Sequence, residues 1–141
     1  MKKYLPLVAA LVLSSGSVAA ASFEDTFNAE RALHGKGHTF SFEGKDYTTD
    51  HPEELEAAAE ATEANAKALI ASAKAKHKEV KAVGYDWTLT KGILKSADKA
   101  LKAGKFQEAM DLAAQAKYHA RMGIRQAQRS AQDWVNMVPG N

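Results

Sequence analysis

Hydrophobic positions recur along most of this chain at alternating steps of three and four, the spacing that holds residues on one helical face. The clearest case runs from Phe106 through Ala109, Ala113, Ala116, Ala120 and Gly123 to Ala127. It predicts a helix from Phe106 to at least Asp133. A seam of Ala and Gly lets another backbone come close but offers little apolar area. Each missing CH₂ forgoes roughly 0.8 kcal/mol of burial. A second stripe, Trp87, Thr90, Leu94, Ala97 and Leu101 with Ile93 beside it, predicts a helix from Trp87 to Ala103. Gly104 then serves as the residue just past its end. A third stripe is thinner: Leu55, Ala59, Thr62, Ala66, Leu69, Ala73, Val80 and Val83, broken at Lys76. No breaker separates Pro52 from Gly84, so one helix of roughly 45–50 Å is expected there. Asp50 would cap it, with Pro52 in the first turn and Glu53 completing an Asp-x-x-Glu box.

The stretch before this helix is mixed. SFEDTFNAERAL places Phe23, Phe27 and Leu33 at helical spacing, and HGKGH breaks the pattern. Phe40, Phe42 and Tyr47 then surround Glu43-Gly44-Lys45, the outline of a small hairpin. An isolated hairpin is marginal in water, so an arm ordered on binding is an equal reading of residues 22–50. After Asp133, Trp134, Val135, Met137 and Val138 form an apolar tail that either closes the bundle or marks an interaction patch.

The first residues read as a secretory signal. Lys2 and Lys3 form the basic segment, Tyr4 to Leu13 the apolar one, and small residues end at Val18-Ala19-Ala20-Ala21. The apolar run falls short of the about 20 residues a membrane span needs. An uncleaved anchor is the competing reading. The expected organisation is a signal over 1–21, an arm over 22–50 and a helical domain over 51–138. The fold class expected is all-α: an antiparallel three-helix bundle or helical hairpin with a long N-terminal helix. The Lys-Lys start suits a bacterial periplasmic protein.

Charge is divided unevenly. Residues 22–86 carry 8 Lys/Arg against 13 Asp/Glu, and residues 87–141 carry 9 against 4. Such a molecule can steer an oppositely charged partner or pair its own acidic helix with its basic ones. Two basic rows stand out: Lys91, Lys95, Lys99 and Lys102, and Lys117, Arg121, Arg125 and Arg129. Each is either a solvated face or a cationic surface for an acidic protein. Nucleic acid is not expected, because no aromatics interleave these rows.

The chain has no Cys. Disulfides, thiolate chemistry, Cys-ligated metal and C-x-x-C-H haem attachment are therefore excluded. No H-E-x-x-H, no G-x-x-x-x-G-K and no acid–base set is recognisable. His34 and His38 flank Gly35-Lys36-Gly37, and with His51 they would make a weak two- or three-His metal site; solvated loop histidines are the plainer reading. His119 lies near Met122, a His/Met pair of the kind that can ligate haem iron, yet a surface histidine is the plainer reading here too. No catalytic residue, metal or cofactor is assigned. The expectation is a docking protein rather than an enzyme.

The segment Ala100-Leu101-Lys102-Ala103-Gly104-Lys105-Phe106-Gln107-Glu108-Ala109 is similar to one tetratricopeptide hairpin. A wider match takes in Gly84-Tyr85-Asp86-Trp87-Thr88, the Lys-rich helix, Lys102 to Phe106, then Ala109, Leu112, Ala113, Ala116-Lys117 and Gly123 to Gln126. Over about Glu54 to Gln132 the chain resembles the small periplasmic SoxXA-binding proteins of bacterial thiosulfate oxidation, the SoxK type. The resemblance implies a non-catalytic accessory subunit that binds the haem c-containing SoxXA enzyme and assists conjugation of thiosulfate to the carrier SoxYZ. It carries over Trp87, Gly104, Phe106, Ala109, Ala113, Ala116 and Gly123 as packing positions. Residues 22–52 have no counterpart in it. Partner contacts are expected from Trp87, Lys91, Lys95, Lys117, Arg121 and Arg125, the basic residues on grounds of charge alone. A helical scaffold or chaperone for another protein is the alternative.

Overall fold

The structure, a computed structural model, describes residues 21–137, with side chains as far as Trp134. The signal segment up to Ala20, and Val138, lie outside the described residues. Five helices and one hairpin follow in order: α1 (Phe23–His34), β1 (Thr39–Phe42), β2 (Lys45–Thr48), α2 (Pro52–Ala57), α3 (Glu63–Ala82), α4 (Thr88–Lys102) and α5 (Phe106–Met137). The chain is mostly helical, as expected, but it is not a plain three-helix bundle. Helices α3, α4 and α5 form the bundle, α2 packs on α5, and a small antiparallel sheet stands beside α1.

The seam on α5 is the spine of the core. Ala109, Ala113, Ala116 and Ala120 have no exposed surface, and Phe106 packs against the same cluster. Gly123 continues the seam. A Cβ built there would lie 2.5 Å from the carbonyl oxygen of Tyr85 and 2.6 Å from Val80 Cγ2. The turn between α3 and α4 therefore rests directly on the α5 backbone. Alanine supplies ten of the sixteen buried hydrophobic residues among those described, so the core gains its stability from close approach more than from apolar area. Met110, Ala114 and Ile70 are also buried. They lie one position away from the expected stripes and widen each apolar face.

Both turns of the bundle end on glycine in the left-handed region. Gly104 has φ 74°, its N–H donates to the Leu101 carbonyl (3.0 Å), and the Lys105 N–H donates to the Ala100 carbonyl (2.9 Å). Gly84 has φ 75°, with the Gly84 N–H on the Lys81 carbonyl (3.1 Å) and the Tyr85 N–H on the Val80 carbonyl (3.3 Å). These are paired C-terminal caps that a side chain would strain.

The expected long first helix is divided. Residues 58–62 leave the helix between α2 and α3 although none is Gly or Pro. The break is held by side chains. The Thr62 hydroxyl accepts the Asn65 N–H (3.1 Å), Asn65 Nδ2 donates to the Glu60 carbonyl (2.8 Å), and Gln107 Nε2 donates to the Ala57 carbonyl (3.0 Å). As a result Leu55, expected in the buried stripe, is 55% exposed, while Ala57 is buried. Ala59 and Val83 also lie on the surface. The gap in the stripe at Lys76 is filled by His77, whose side chain is only 12% exposed.

The start of this region also shifts by one residue. His51, not Asp50, is the cap, Pro52 is the first helical residue, and Glu54 rather than Glu53 reaches back to accept the His51 N–H (2.7 Å). Proline at the first helical position sets this frame, since its fixed φ suits that position and it has no N–H to leave unpaired. Trp87 likewise caps α4 instead of forming its first turn.

The arm forms both the short helix and the hairpin outlined in the sequence. Residues Phe23–His34 form a helix capped by Ser22, and β1 pairs with β2 in the register Thr39↔Thr48, Phe40↔Tyr47, Ser41↔Asp46 and Phe42↔Lys45. The two pieces share an aromatic cluster. The Phe23 ring lies 4.8 Å from Tyr47, 5.4 Å from Phe42 and 5.9 Å from Phe40, and Phe27 lies 6.2 Å from Phe40. Phe40 is the hairpin's buried residue. This burial supplies what a bare two-stranded hairpin lacks.

The seam has a measurable consequence. Gly123→Ala should destabilise the protein by about 1–3 kcal/mol, the usual cost of overpacking a close contact, and Gly123→Leu or Ala116→Leu by at least as much. Urea denaturation followed by circular dichroism reads this directly. Wild-type midpoints in all three variants would mean that the backbones do not meet as described.

Candidate interaction site

The acidic half of the chain folds onto the basic row of α5. Lys117 Nζ donates to both oxygens of Glu56 (2.6 and 2.7 Å). Arg121 makes a two-pronged contact with Glu53, from Nε to Oε1 (2.7 Å) and from Nη2 to Oε2 (3.0 Å). Arg125 donates to Glu24, and Arg129 reaches the other oxygen of Glu24 (3.2 Å). The ladder thus ties α2 and α1 to one side of α5. Of the two sequence readings of charge asymmetry, internal pairing describes this row. Lys117, Arg121 and Arg125 are engaged within the chain.

Glu53 is the deepest of these carboxylates, with its side chain 4% exposed. Its hydrogen bonds hold the Arg121 pKa above its ordinary value, against the opposing effect of burial. The Arg121 guanidinium also lies over the Tyr118 ring, 5.3 Å from its centroid. A second pair backs the first. Arg31 on α1 binds both oxygens of Glu54 at 2.8 Å and also donates to the Thr49 carbonyl. Burial alone raises the Glu54 pKa, but the Arg31 hydrogen bond and the His51 N–H outweigh it and leave the carboxyl below its ordinary value.

His51 sits where these pairs meet. Its ring lies 4.6 Å from Tyr118 and 5.4 Å from Phe27. Burial lowers its pKa, the Arg31 charge lowers it further, and Glu54 offsets part of that. Trp87 packs 5.1 Å from the His119 ring and lines the same cleft as His51 and Tyr118. Burial lowers the His119 pKa as well. His119 is therefore the partner of Trp87, and its Nδ1 is buried with no hydrogen-bond partner among the described residues.

The other basic row is different. Lys91, Lys95, Lys99 and Lys102 all lie on the exposed side of α4, opposite the buried Thr90, Leu94, Ala97 and Ala100. No carboxylate among the described residues is within ion-pair reach of them. Their neighbour Asp98 is held by Lys74 on α3 at 2.8 Å. At the start of the same helix Trp87 is 40% exposed and Leu89 72% exposed. Trp134 is exposed too, at 69%, so the described part of the C-terminal apolar tail does not close the bundle. Gly104, Phe106, Ala109, Ala113, Ala116 and Gly123 lie on the hinge and seam.

Composition offered three carboxylates near one helix start but not their division of labour. Glu53 takes Arg121, Glu54 takes Arg31 and Glu56 takes Lys117. The sequence signal for the Arg121 and Lys117 pairs was the opposite charge of two segments far apart in the chain; Arg31 and Glu54 lie in the same acidic segment. Among the described residues no helix is long and apolar enough to cross a membrane. Comparison with protein-family models, curated proteins and solved structures gave no match.

Two outcomes follow. Arg121→Ala leaves Glu53 buried without its cation and should cost about 3–5 kcal/mol, whereas Arg121→Met with Glu53→Met should recover most of that loss. A double-mutant cycle in urea measures both, and additive losses would contradict a direct pair. For His51 and His119 the folded pKa is lower than the unfolded one. Between that folded value and the ordinary 6.5 the unfolded chain binds more protons, so the histidine contribution is full above pH 6.5 and is lost as pH falls below it. Unfolding free energy should therefore drop between pH 7.5 and 5.5, and less steeply in His51→Gln or His119→Gln.

Proposed function

We propose that this chain is a non-catalytic periplasmic accessory protein that docks on an acidic partner protein, SoxXA or a cytochrome complex of that kind, in the oxidation of thiosulfate. The observation that carries it is the α4 face: four lysines with no carboxylate partner among the described residues, beside the half-exposed Trp87 and the exposed Leu89. A lysine face steers an acidic partner into place, and a large aromatic at its edge supplies the apolar anchor that binding hot spots favour. The resemblance to SoxXA-binding proteins over Glu54 to Gln132 supports the choice of partner. SoxYZ would be a further contact in the same assembly.

The contact set of the proposal is Trp87, Lys91 and Lys95, extended to Lys99 and Lys102. Lys117, Arg121 and Arg125 have a nearer role in holding α1 and α2 against α5. They contribute to docking by keeping the scaffold in shape. A general helical scaffold for unfolded segments is favoured by one observation only, the exposed Trp134 at the end of α5.

The test is a pull-down from a periplasmic extract of the host grown on thiosulfate, using tagged protein from Ser22 to Asn141. A haem protein should be retained in stoichiometric amount and released by salt. Lys91→Glu with Lys95→Glu should weaken retention at least tenfold at low salt and flatten its salt dependence. Absence of haem from the eluate while SoxXA is present in the extract overturns the partner, and broad suppression of aggregation would then favour the scaffold.

A further inference from the structure

The end of α1 and the start of β1 bring together three groups of a different chemistry. We infer that Glu30, His34 and His38 form a binding site for one divalent first-row transition-metal ion of the zinc or copper type. Both histidine Nε2 atoms converge on the same carboxylate oxygen, Glu30 Oε2, His34 at 3.6 Å and His38 at 3.5 Å. One ligand atom from each of the three residues lies within 4.8 Å of the others. Tetrahedral zinc with bonds of about 2.0–2.2 Å sets neighbouring ligand atoms roughly 3.3–3.5 Å apart. The Glu30–histidine separations are already close to that, and the two stacked imidazole rings would splay apart to aim both Nε2 atoms at one ion.

The loop that makes this possible is built rather than loose. Glu30 and His34 are one turn apart on α1, and helical spacing places them on one face. A continued helix would leave His38 about 12 Å along the axis from Glu30, too far for the two to share an ion. The chain instead turns back through Gly35 and Gly37, with φ 78° and 77°, a conformation other residues adopt only with strain. The result stacks the two imidazole rings at 3.9 Å.

Thr49, fully buried, clasps both ends of the turn. Its hydroxyl donates to the Gly35 carbonyl (2.6 Å) and accepts the His38 N–H (3.0 Å), and its own N–H donates to the His38 carbonyl (2.8 Å). Ligands held in place before the ion arrives are what a metal site needs from its surroundings.

Two imidazoles and one carboxylate suit zinc, copper or nickel better than calcium or magnesium, which favour all-oxygen shells. Three protein ligands leave a fourth position to water, and the site opens to solvent, so the ion can exchange. The sequence favours solvated loop histidines here and assigns no metal; the set differs also from the weak alternative with His51, whose place Glu30 takes. A bound ion would fasten α1 to the hairpin, and binding to the folded state alone would raise the stability of the arm.

Calorimetry of the full mature chain, free of any histidine tag, with Zn²⁺ and with Cu²⁺ tests this. One ion per chain is expected, with shifts of the His34 and His38 ring signals in NMR and a visible absorption of tetrahedral type when Co²⁺ is used. His34→Ala and His38→Ala should each weaken binding at least tenfold and Glu30→Gln several-fold, while His51→Ala leaves it unchanged. These ligands are exposed or half-buried, so the variants should keep wild-type circular dichroism. No heat above buffer controls for Zn²⁺ or Cu²⁺, or binding that survives in the His34→Ala/His38→Ala double variant, overturns the assignment.

Discussion

Everything in this molecule depends on how closely α5 lets other backbones approach. Ala109, Ala113, Ala116 and Ala120 present only methyl groups, and Gly123 presents none. The contact between Gly123 and the turn at Tyr85 fixes where α3 ends and α4 begins. It thereby also fixes where Trp87 stands. A larger residue at any of these positions would push the turn outward and carry the α4 lysine face with it. The geometry of the proposed docking face is thus set from inside the core, by residues that would never touch a partner.

An alanine-rich core buries little apolar area, and the protein compensates along the side of α5 with charge. The ladder of Lys117, Arg121, Arg125 and Arg129 against Glu56, Glu53 and Glu24 draws α2 and α1 onto the bundle. Exposed ion pairs contribute little singly. The Arg121–Glu53 pair differs because Glu53 is almost fully enclosed and its partner binds it with two hydrogen bonds. Such a pair specifies position more than it adds stability, since its separate charges would be costly to leave buried. The Arg31–Glu54 pair extends this order to Thr49, and Thr49 in turn holds the turn that carries His34 and His38. The arm is therefore connected to the bundle through one chain of polar contacts, with an aromatic cluster as its own small core.

The two basic rows show why charge pattern alone does not identify an interface. Both recur every three or four residues and both look alike in the sequence. One faces α1 and α2 and is paired with their carboxylates, Arg125 and Arg129 sharing Glu24. The other faces away from every described carboxylate. The difference lies in what each row meets in space, and the acids involved are as much as 105 residues away along the chain.

What the sequence determined by itself was everything governed by short-range spacing. The faces of α4 and α5, the glycine end of α4 at Gly104 and the small-residue seam all follow from residues within a few positions of one another. The tertiary structure alone decided the rest. It divided the expected long helix at residues 58–62, where neither Gly nor Pro stands: Gln107 of α5 takes the Ala57 carbonyl and so selects the Thr62 cap that the local sequence permits. It turned Leu55 outward and sorted the cations into paired and free. It also brought Glu30 beside two histidines that the sequence had grouped with His51. In each case the deciding energy is a long-range contact, the burial or pairing of a side chain by another distant in sequence, and periodicity along one segment carries no record of that partner.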